Sequence, residues 1–146
     1  ILQMILAQDN VDVNIKDDDG NNALHITATT GNFVIIDPLL QHPQIDVEAS
    51  NSSSVAKFFT PLWLTVSHSH KPAAQVLLEH GANAEAADTL DRKTPLHVAT
   101  EKGNADIVEL LLDHGANTET HDQRGFAPLW AAANKGKEDI FSLLLD

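Results

Sequence analysis

The side chains with the most obvious chemical potential in this sequence are its eight histidines. Two of them, His68 and His70, are separated by one residue, a spacing at which both imidazoles could bind one zinc ion. A zinc site needs further ligands, and no third His, Asp or Glu lies next to this pair in the sequence. We therefore expect both residues to lie in a solvated turn, and we expect no metal or other cofactor.

The run Asp17 to Gly20 has the residue types of a calcium-binding loop. If Gly20 held the sixth position of such a loop, Ile15 would occupy the first ligand position and Ile26 the last. Neither side chain can coordinate calcium. The run instead predicts the tip of a hairpin.

No other pattern predicts catalysis. The chain has no cysteine, no phosphate-binding glycine loop, no nucleophile elbow and no H-E-x-x-H motif. No set of residues fills the roles of nucleophile, base and charge-stabilising group. The sequence therefore predicts a protein that is not an enzyme, and a metal-dependent enzyme using the histidines is the weaker alternative.

The charge of the chain narrows the class of partner. Its 21 Asp and Glu outnumber its 9 Lys and Arg, for a formal net charge of −12, which repels nucleic acid and anionic lipid. No stretch approaches the roughly 18 apolar residues of a membrane span. We expect a protein or peptide partner, with neither nucleic acid nor membrane, and an intracellular location in the cytoplasm or nucleus.

Four similar short motifs recur along the chain and show that it is built from repeated units. The motifs are NALH at Asn22, TPLW at Thr60, TPLH at Thr94 and APLW at Ala127, in steps of 38, 34 and 33 residues. Small residues, a turn and an apolar run follow each one, so the chain repeats a unit of two helices. Thr60 and Thr94 can cap their helices ahead of a proline, whereas Ala127 lacks a cap worth about 1 kcal/mol.

The segment KTPLHVATEKGNADIVELLLDHGAN, residues 93–117, resembles an ankyrin repeat nearly residue for residue, and the resemblance extends over essentially the whole chain. It implies an all-α solenoid in which each unit is a hairpin-like loop followed by two antiparallel helices. We expect one domain, residues 1–146, with a partial leading unit 1–15 and units at about 16–49, 50–86, 87–119 and 120–146. The chain starts inside a unit and stops within one, so we expect a monomeric fragment of a longer protein, with contacts at its uncapped ends as an alternative.

The resemblance also implies where a partner binds. Ankyrin proteins recognise other proteins through one concave surface, formed by the hairpin tips and the exposed side of the first helix of each unit. Carried over by position, this surface contains Asp18, Asp19, Asn21, Lys57, Phe58, Phe59, His68, Leu90, Arg92, Lys93, Lys102, Gln123, Arg124, Phe126 and Lys135. We expect a non-catalytic protein-binding module, or alternatively a structural or regulatory arm of a larger protein whose enzymatic or toxin-like activity lies elsewhere.

The aromatic residues raise separate questions. Phe59 and Phe126 share a repeat position with Asn21 and Lys93, which predicts that both rings are exposed as interface anchors. For Phe58 two alternatives stay open, an exposed ring and a ring folded back onto Trp63. Trp63 and Trp130 replace the motif histidine and are expected in the core.

The loop before the second unit is enlarged. The distance along the chain from Asp46 to Thr60 exceeds that from Asn117 to Ala127 by four residues. Residues 51–54 are turn formers, so we expect them at the tip of this insertion.

Overall fold

The computed structural model describes residues 4, 6, 8, 11–51 and 58–145. Within these residues the chain forms eight complete helices and no strand, which confirms the all-α class. The helices are α1 (Ala23–Thr30), α2 (Phe33–Leu40), α3 (Pro61–Ser67), α4 (Lys71–Glu79), α5 (Pro95–Lys102), α6 (Ala105–Asp113), α7 (Pro128–Asn134) and α8 (Glu138–Leu143).

The helices form two layers. Each unit consists of a hairpin and two consecutive helices that pack on each other, so α1 and α2 belong to the first unit and α7 and α8 to the fourth. The first helices α1, α3, α5 and α7 contact one another in that order, and the second helices α2, α4, α6 and α8 do the same. This stacking of like elements is the solenoid that the repeat predicts.

The starts of the first helices follow from local chemistry. The hydroxyl of Thr60 accepts the N–H of Trp63 at 3.3 Å, with Pro61 as the first residue of α3. Ala127 has the same extended backbone as Thr60 but no side-chain acceptor, and the N–H of Trp130 bonds to the Ala127 carbonyl at 3.0 Å instead. Helix α7 therefore starts without the cap that α3 has.

Small residues let the layers approach closely. Ala28, Ala99 and Ala132 are fully buried in the first-helix layer, where a larger side chain would separate the helices. Leu77 and Leu111 are fully buried on the second helices and join the same continuous core. Each unit thus completes its core against its neighbours.

A polar residue closes the base of each hairpin, and it is buried in every unit but the first. Asp88 donates its N–H to the Lys93 carbonyl at 3.1 Å, and its carboxylate accepts the N–H groups of Leu90, Asp91 and Lys93. Asp17 and Asp122 make similar bonds in the first and fourth units.

Asn51 has this role in the second unit, where the hairpin is longer. Its N–H donates to the Phe59 carbonyl at 3.2 Å, and its side-chain oxygen accepts the Phe59 N–H at 2.9 Å. The prediction that Asn51 lies at the tip of the insertion is therefore wrong, because its side chain is buried at the hairpin base. Residues 52–54 of that prediction lie outside the described residues.

Among the helices of the described part of the chain, none combines the length and the apolar character that crossing a lipid bilayer requires.

Candidate functional site

The motif histidines join successive units through the hairpins. Nε2 of His25 lies 3.2 Å from the Phe59 carbonyl oxygen, and Nε2 of His97 lies 3.0 Å from that of Phe126. Each imidazole therefore reaches from a first helix to the hairpin of the next unit. These bonds fix the hairpins relative to the helices and so determine the shape of the face that the hairpins form.

Trp63 makes the same kind of bond in the second unit. Its indole N–H donates to the Lys93 carbonyl at 3.1 Å, and its ring is partly buried against the core. Trp130 occupies the equivalent position in the fourth unit but is 48% exposed. The prediction of a buried Trp130 is wrong, since no hairpin of a following unit lies among the described residues to cover the ring.

Two aromatic pairs lie on this face. The rings of Phe59 and Trp63 are stacked with centroids 4.1 Å apart, and those of Phe126 and Trp130 with centroids 3.9 Å apart. Both phenylalanines are partly buried, so the prediction that their rings are exposed is wrong. Each one covers a face of the tryptophan four residues later, and the pair acts as one flat apolar surface.

The end of the enlarged loop contacts the hairpin of the third unit. The N–H of Phe58 donates to the hydroxyl of Thr89 at 3.2 Å, and the Phe58 side chain is 39% exposed. Leu90, the residue after Thr89, is 46% exposed. Phe58 thus presents a ring to solvent, while Phe59 is the residue that stacks on Trp63.

A groove of about 230 Å³ lies beside the first aromatic pair. It separates that pair from the hairpin and the first helix of the third unit. Its walls are Phe59, Trp63, Ser67, Asp88, Asp91, Lys93, Val98, Glu101 and Lys102.

An ion pair occupies the third unit at the level of the aromatic pairs. The Lys93 ammonium lies 2.7 and 2.9 Å from the two carboxylate oxygens of Glu101, and both side chains are partly buried. Lys135, from the fourth unit, donates to the Glu101 carbonyl oxygen at 2.9 Å. The face therefore alternates along the stack between an aromatic pair, an ion pair and a second aromatic pair.

The remaining predicted site residues have diverse environments. Asn21 is partly buried, and its side-chain oxygen accepts a bond from Asn51. His68 ends α3, with Nδ1 2.9 Å from the Leu64 carbonyl. Lys57 lies outside the described residues. The following members are exposed: Asp18, Asp19, Arg92, Lys102, Gln123, Arg124 and Lys135.

Three groups at the hairpin bases and motif positions have shifted pKa values. Burial lowers the pKa of His25 and of His97, because it disfavours the charged imidazolium. For Asp122, burial acts to raise the pKa, but N–H bonds from Phe126 and Arg124 and the facing cations lower it on balance. Burial therefore favours the neutral form of His25 and His97, the two histidines that bond one unit to the next.

The histidine pair of the second unit lies at the turn between α3 and α4, with His68 at the end of the first helix and His70 before the second. The rings of His68 and His70 are nearly parallel, with centroids 6.0 Å apart. Across the described ranges, no group of three or more His, Asp or Glu is placed to hold a metal ion. His70 instead donates toward the Thr29 carbonyl at 3.1 Å and joins the turns of two units.

Comparison with known proteins supports the interpretation of these units. The family model for ankyrin repeats (3 copies) matches residues 1–88 and 84–146. The chain belongs to the ankyrin-repeat family. Ankyrin repeats generally mediate protein–protein interactions, and the family is typically non-catalytic.

Several curated proteins resemble this ankyrin-repeat chain over part of their length. The Inhibitor of Bruton tyrosine kinase of Xenopus laevis is 34% identical over 58% of the chain, which spans 6% of that protein. The Poly [ADP-ribose] polymerase tankyrase of Caenorhabditis elegans is 31% identical over 55% of the chain, which spans 4% of that protein. The I-Kappa-B like protein F1 of Microplitis demolitor bracovirus is 38% identical over 38% of the chain, which spans 34% of that protein.

The aromatic pairs are the part of this ankyrin face that sequence reasoning missed. The signal was present, since each phenylalanine precedes its tryptophan by four residues and both residues flank the first turn of a helix. The residue types at the repeat position of each phenylalanine do not show this contact. The local spacing within one unit is what places the two rings in contact.

Proposed function

We propose that this ankyrin-repeat chain is a non-catalytic module that binds another protein through its hairpin face. This face comprises the hairpins and the exposed side of the first helices α1, α3, α5 and α7, and the family resemblance describes it as concave. The observation that carries the proposal is the presence of two stacked aromatic pairs, Phe59–Trp63 and Phe126–Trp130, on this one face.

The second pair differs from the first in the exposure of its tryptophan. Trp130 is 48% exposed although it is a large aromatic residue, and its ring is held in place by stacking on Phe126. A rigid, exposed indole loses little conformational entropy on binding and buries a large apolar area. In the equivalent position Trp63 is covered by the hairpin of the third unit, so the feature that the two pairs share is the phenylalanine–tryptophan stack.

The first pair supports a second contact region. Phe59 and Trp63 form one wall of the groove, and the exposed Phe58 and Leu90 lie on the hairpins next to it. A partner that contacts both aromatic pairs spans the second, third and fourth units. Its contacts would include the Lys93–Glu101 ion pair between them.

The test is affinity capture with wild-type chain and with a Phe126→Ala plus Trp130→Ala variant. We expect the variant to lose the partners that the wild type captures from an extract of the source cells. Phe33→Ala is the matched control, because Phe33 is 47% exposed but lies at the start of α2, in the second-helix layer. Retention of every partner by the double variant would exclude the hairpin face at the fourth unit as the binding surface.

A second candidate is a regulatory arm of a larger protein. The chain spans between 4% and 34% of the lengths of the relatives described above, and one of them carries a polymerase name. Under this alternative the module acts on a domain of its own chain. Recovery of the full reading frame, followed by binding assays between the module and each neighbouring domain, tests it.

The intracellular location predicted from the sequence stays a prediction. Imaging of the full-length protein with a fluorescent tag tests it.

A further inference from the structure

Charge is divided unequally between the two layers of the molecule. Among the described residues, the second helices, the residue before each of them and the segments that follow carry eleven carboxylates and two cations, Lys71 and Lys137. The hairpins and first helices of the third and fourth units carry five cations: Arg92, Lys93, Lys102, Arg124 and Lys135. A chain of net charge −12 thus concentrates its positive charge on part of one face.

Three of the four carboxylates on that part of the face are bonded within the molecule, and each keeps its negative charge. Asp88 and Asp122 are buried, and each accepts backbone N–H groups at a hairpin base. Glu101 is paired with Lys93. Asp91 is the fourth carboxylate of these two hairpins and first helices, and it forms no ion pair with another described residue.

The other four cations lie at the surface, and one of them, Lys135, donates to the Glu101 carbonyl oxygen at 2.9 Å. Arg92, Lys102, Arg124 and Lys135 are exposed, and none of them forms an ion pair with another described residue. Lys102 borders the groove beside Phe59 and Trp63, and Lys135 follows helix α7, which carries Trp130. The hairpins and first helices of these two units thus carry five cations and four carboxylates, in contrast to the acidic second-helix layer, and Lys102 borders the groove beside the first aromatic pair.

We propose that the third and fourth units bind an acidic, aromatic- or aliphatic-containing segment of a partner protein. This inference rests on the proposed function and names the chemistry of its partner. The carboxylates of the segment would pair with Lys102, Arg124 and their neighbours, while its apolar side chains would contact the two aromatic pairs. The acidic second-helix layer repels the same segment, so the electrostatic field directs it to the hairpin face.

The hairpin of the first unit carries mainly negative charge. Its hairpin carries Asp17, Asp18 and Asp19, with Lys16 donating to the Ser50 carbonyl at 2.9 Å. An acidic segment is therefore repelled from the first unit as well. Among the described residues of the hairpin face, the positive charge lies mainly in the third and fourth units, so the acidic part of the segment is expected there.

The test uses two variants of equal net charge. Lys102→Gln plus Arg124→Gln removes two cations from the hairpin face, and Lys71→Gln plus Lys137→Gln removes two from the second-helix layer. The probe is a short synthetic peptide of Glu and Phe, titrated by calorimetry at low ionic strength. Because the chain has two tryptophans, both in the aromatic pairs, a change in its intrinsic fluorescence reports binding at that face.

We expect the hairpin-face variant to bind the peptide about ten-fold more weakly than wild type, and the second-helix variant to change the affinity less than about two-fold. Added salt should reduce the difference between them. Equal effects of the two variants, or a wild-type affinity no higher than that of the hairpin-face variant, would overturn the inference. Tighter binding of an oligothymidylate at the same cations would replace it with nucleic-acid binding.

This failure can be told apart from failure of the proposed function. If capture of the native partner is lost with Phe126→Ala plus Trp130→Ala but retained with Lys102→Gln plus Arg124→Gln, the hairpin face binds a partner that is not acidic. In that case the proposed function stands and the inference about charge is wrong. If both variants retain the partner, binding through the hairpin face of the fourth unit is wrong, and the inference about charge falls with it.

Discussion

Phe59 stacks on Trp63 with ring centroids 4.1 Å apart, and the indole N–H of Trp63 donates to the Lys93 carbonyl of the next unit. One residue pair thus joins the surface of the second unit to the hairpin of the third. Phe126 and Trp130 repeat the stacking, but within the described part of the chain the Trp130 indole N–H has no acceptor. The two tryptophans of the chain therefore occupy equivalent positions with different exposure.

This difference predicts a difference in quenching of tryptophan fluorescence. Trp130 is 48% exposed, whereas Trp63 is partly buried and its N–H is bonded. With Trp63→Phe only Trp130 emits, and we expect acrylamide to quench it more strongly than it quenches Trp63 in the Trp130→Phe variant. Equal quenching constants in the two variants would contradict the exposures described here.

The missing cap at α7 predicts a stabilising substitution. Ala127 has nearly the same backbone angles as Thr60, so Ala127→Thr can accept the N–H of Trp130 without rearrangement. We expect a gain of about 1 kcal/mol, seen as a rise of about 2–4 °C in the thermal midpoint. Thr60→Ala is the reciprocal control and should lower the midpoint. An unchanged midpoint in Ala127→Thr would show that the new hydroxyl makes no cap.

Asn22 predicts a second stabilising change. Its side-chain oxygen accepts the His25 N–H at 3.2 Å and also lies 2.6 Å from Nδ1 of His25, while its buried side-chain nitrogen has no partner among the described residues. In the third unit the Thr94 hydroxyl lies 2.8 Å from Nδ1 of His97 and can donate to it.

Asn22→Thr should therefore stabilise the fold by about 1 kcal/mol, because it removes an unpaired buried donor. Urea denaturation measures the change. The conservative variant Thr94→Asn is the control, and we expect it to destabilise the third unit by introducing the same unpaired group. A loss of stability in Asn22→Thr would mean that the amide has a role that threonine does not reproduce.

The helices and their order could be predicted from the sequence because they depend on local rules that recur in each unit. Thr60 before Pro61, and the small residue Ala99 between stacked helices, each have one physical interpretation wherever they occur in the repeat. The helices and their order follow from such positions. The family resemblance added the hairpins.

The face was harder to predict because its residues interact across units. Asn51 has the residue type of a loop tip, but its amide replaces the aspartate that closes the other hairpins, and only the spatial equivalence of the hairpins shows this. Trp130 has the residue type of a core position, and its exposure depends on whether another unit covers it. Residue type alone determines neither outcome.

Gly31 predicts a destabilising substitution with a specific cause. Its backbone is left-handed, with φ of 71°, and an added Cβ would lie 2.6 Å from Nδ1 of His70. Gly115 has φ of 79° but open space around the same position. Gly115→Ala should cost about 1 kcal/mol from backbone strain alone, and Gly31→Ala should cost more because the imidazole must also move.

Urea denaturation of both glycine variants measures this difference. Gly31→Ala combined with His70→Ala should recover part of the additional loss, since the shorter side chain leaves room for the new methyl group. Equal costs for Gly31→Ala and Gly115→Ala would show that His70 moves freely, contrary to its bond with the Thr29 carbonyl.

The buried motif histidines predict a loss of stability on mild acidification. Burial lowers the pKa of His25 and His97 in the folded state, so the unfolded chain binds more protons than the folded one below about pH 6.5. Their contribution is fully present above that pH and is lost as the pH falls through their lowered values. The lowered pKa of Asp122 acts in a separate window, because its contribution is lost only as the pH falls below the usual range of an aspartate.

Urea midpoints measured at pH 7.5 and at pH 5.5 isolate the histidine effect. We expect the wild type to be less stable at the lower pH, and His25→Gln plus His97→Gln to show a smaller difference between the two midpoints. His121→Gln is the control, because His121 is exposed and its replacement should leave the pH dependence unchanged. If the double variant keeps the full wild-type pH dependence, protonation of groups other than His25 and His97 controls stability in this range.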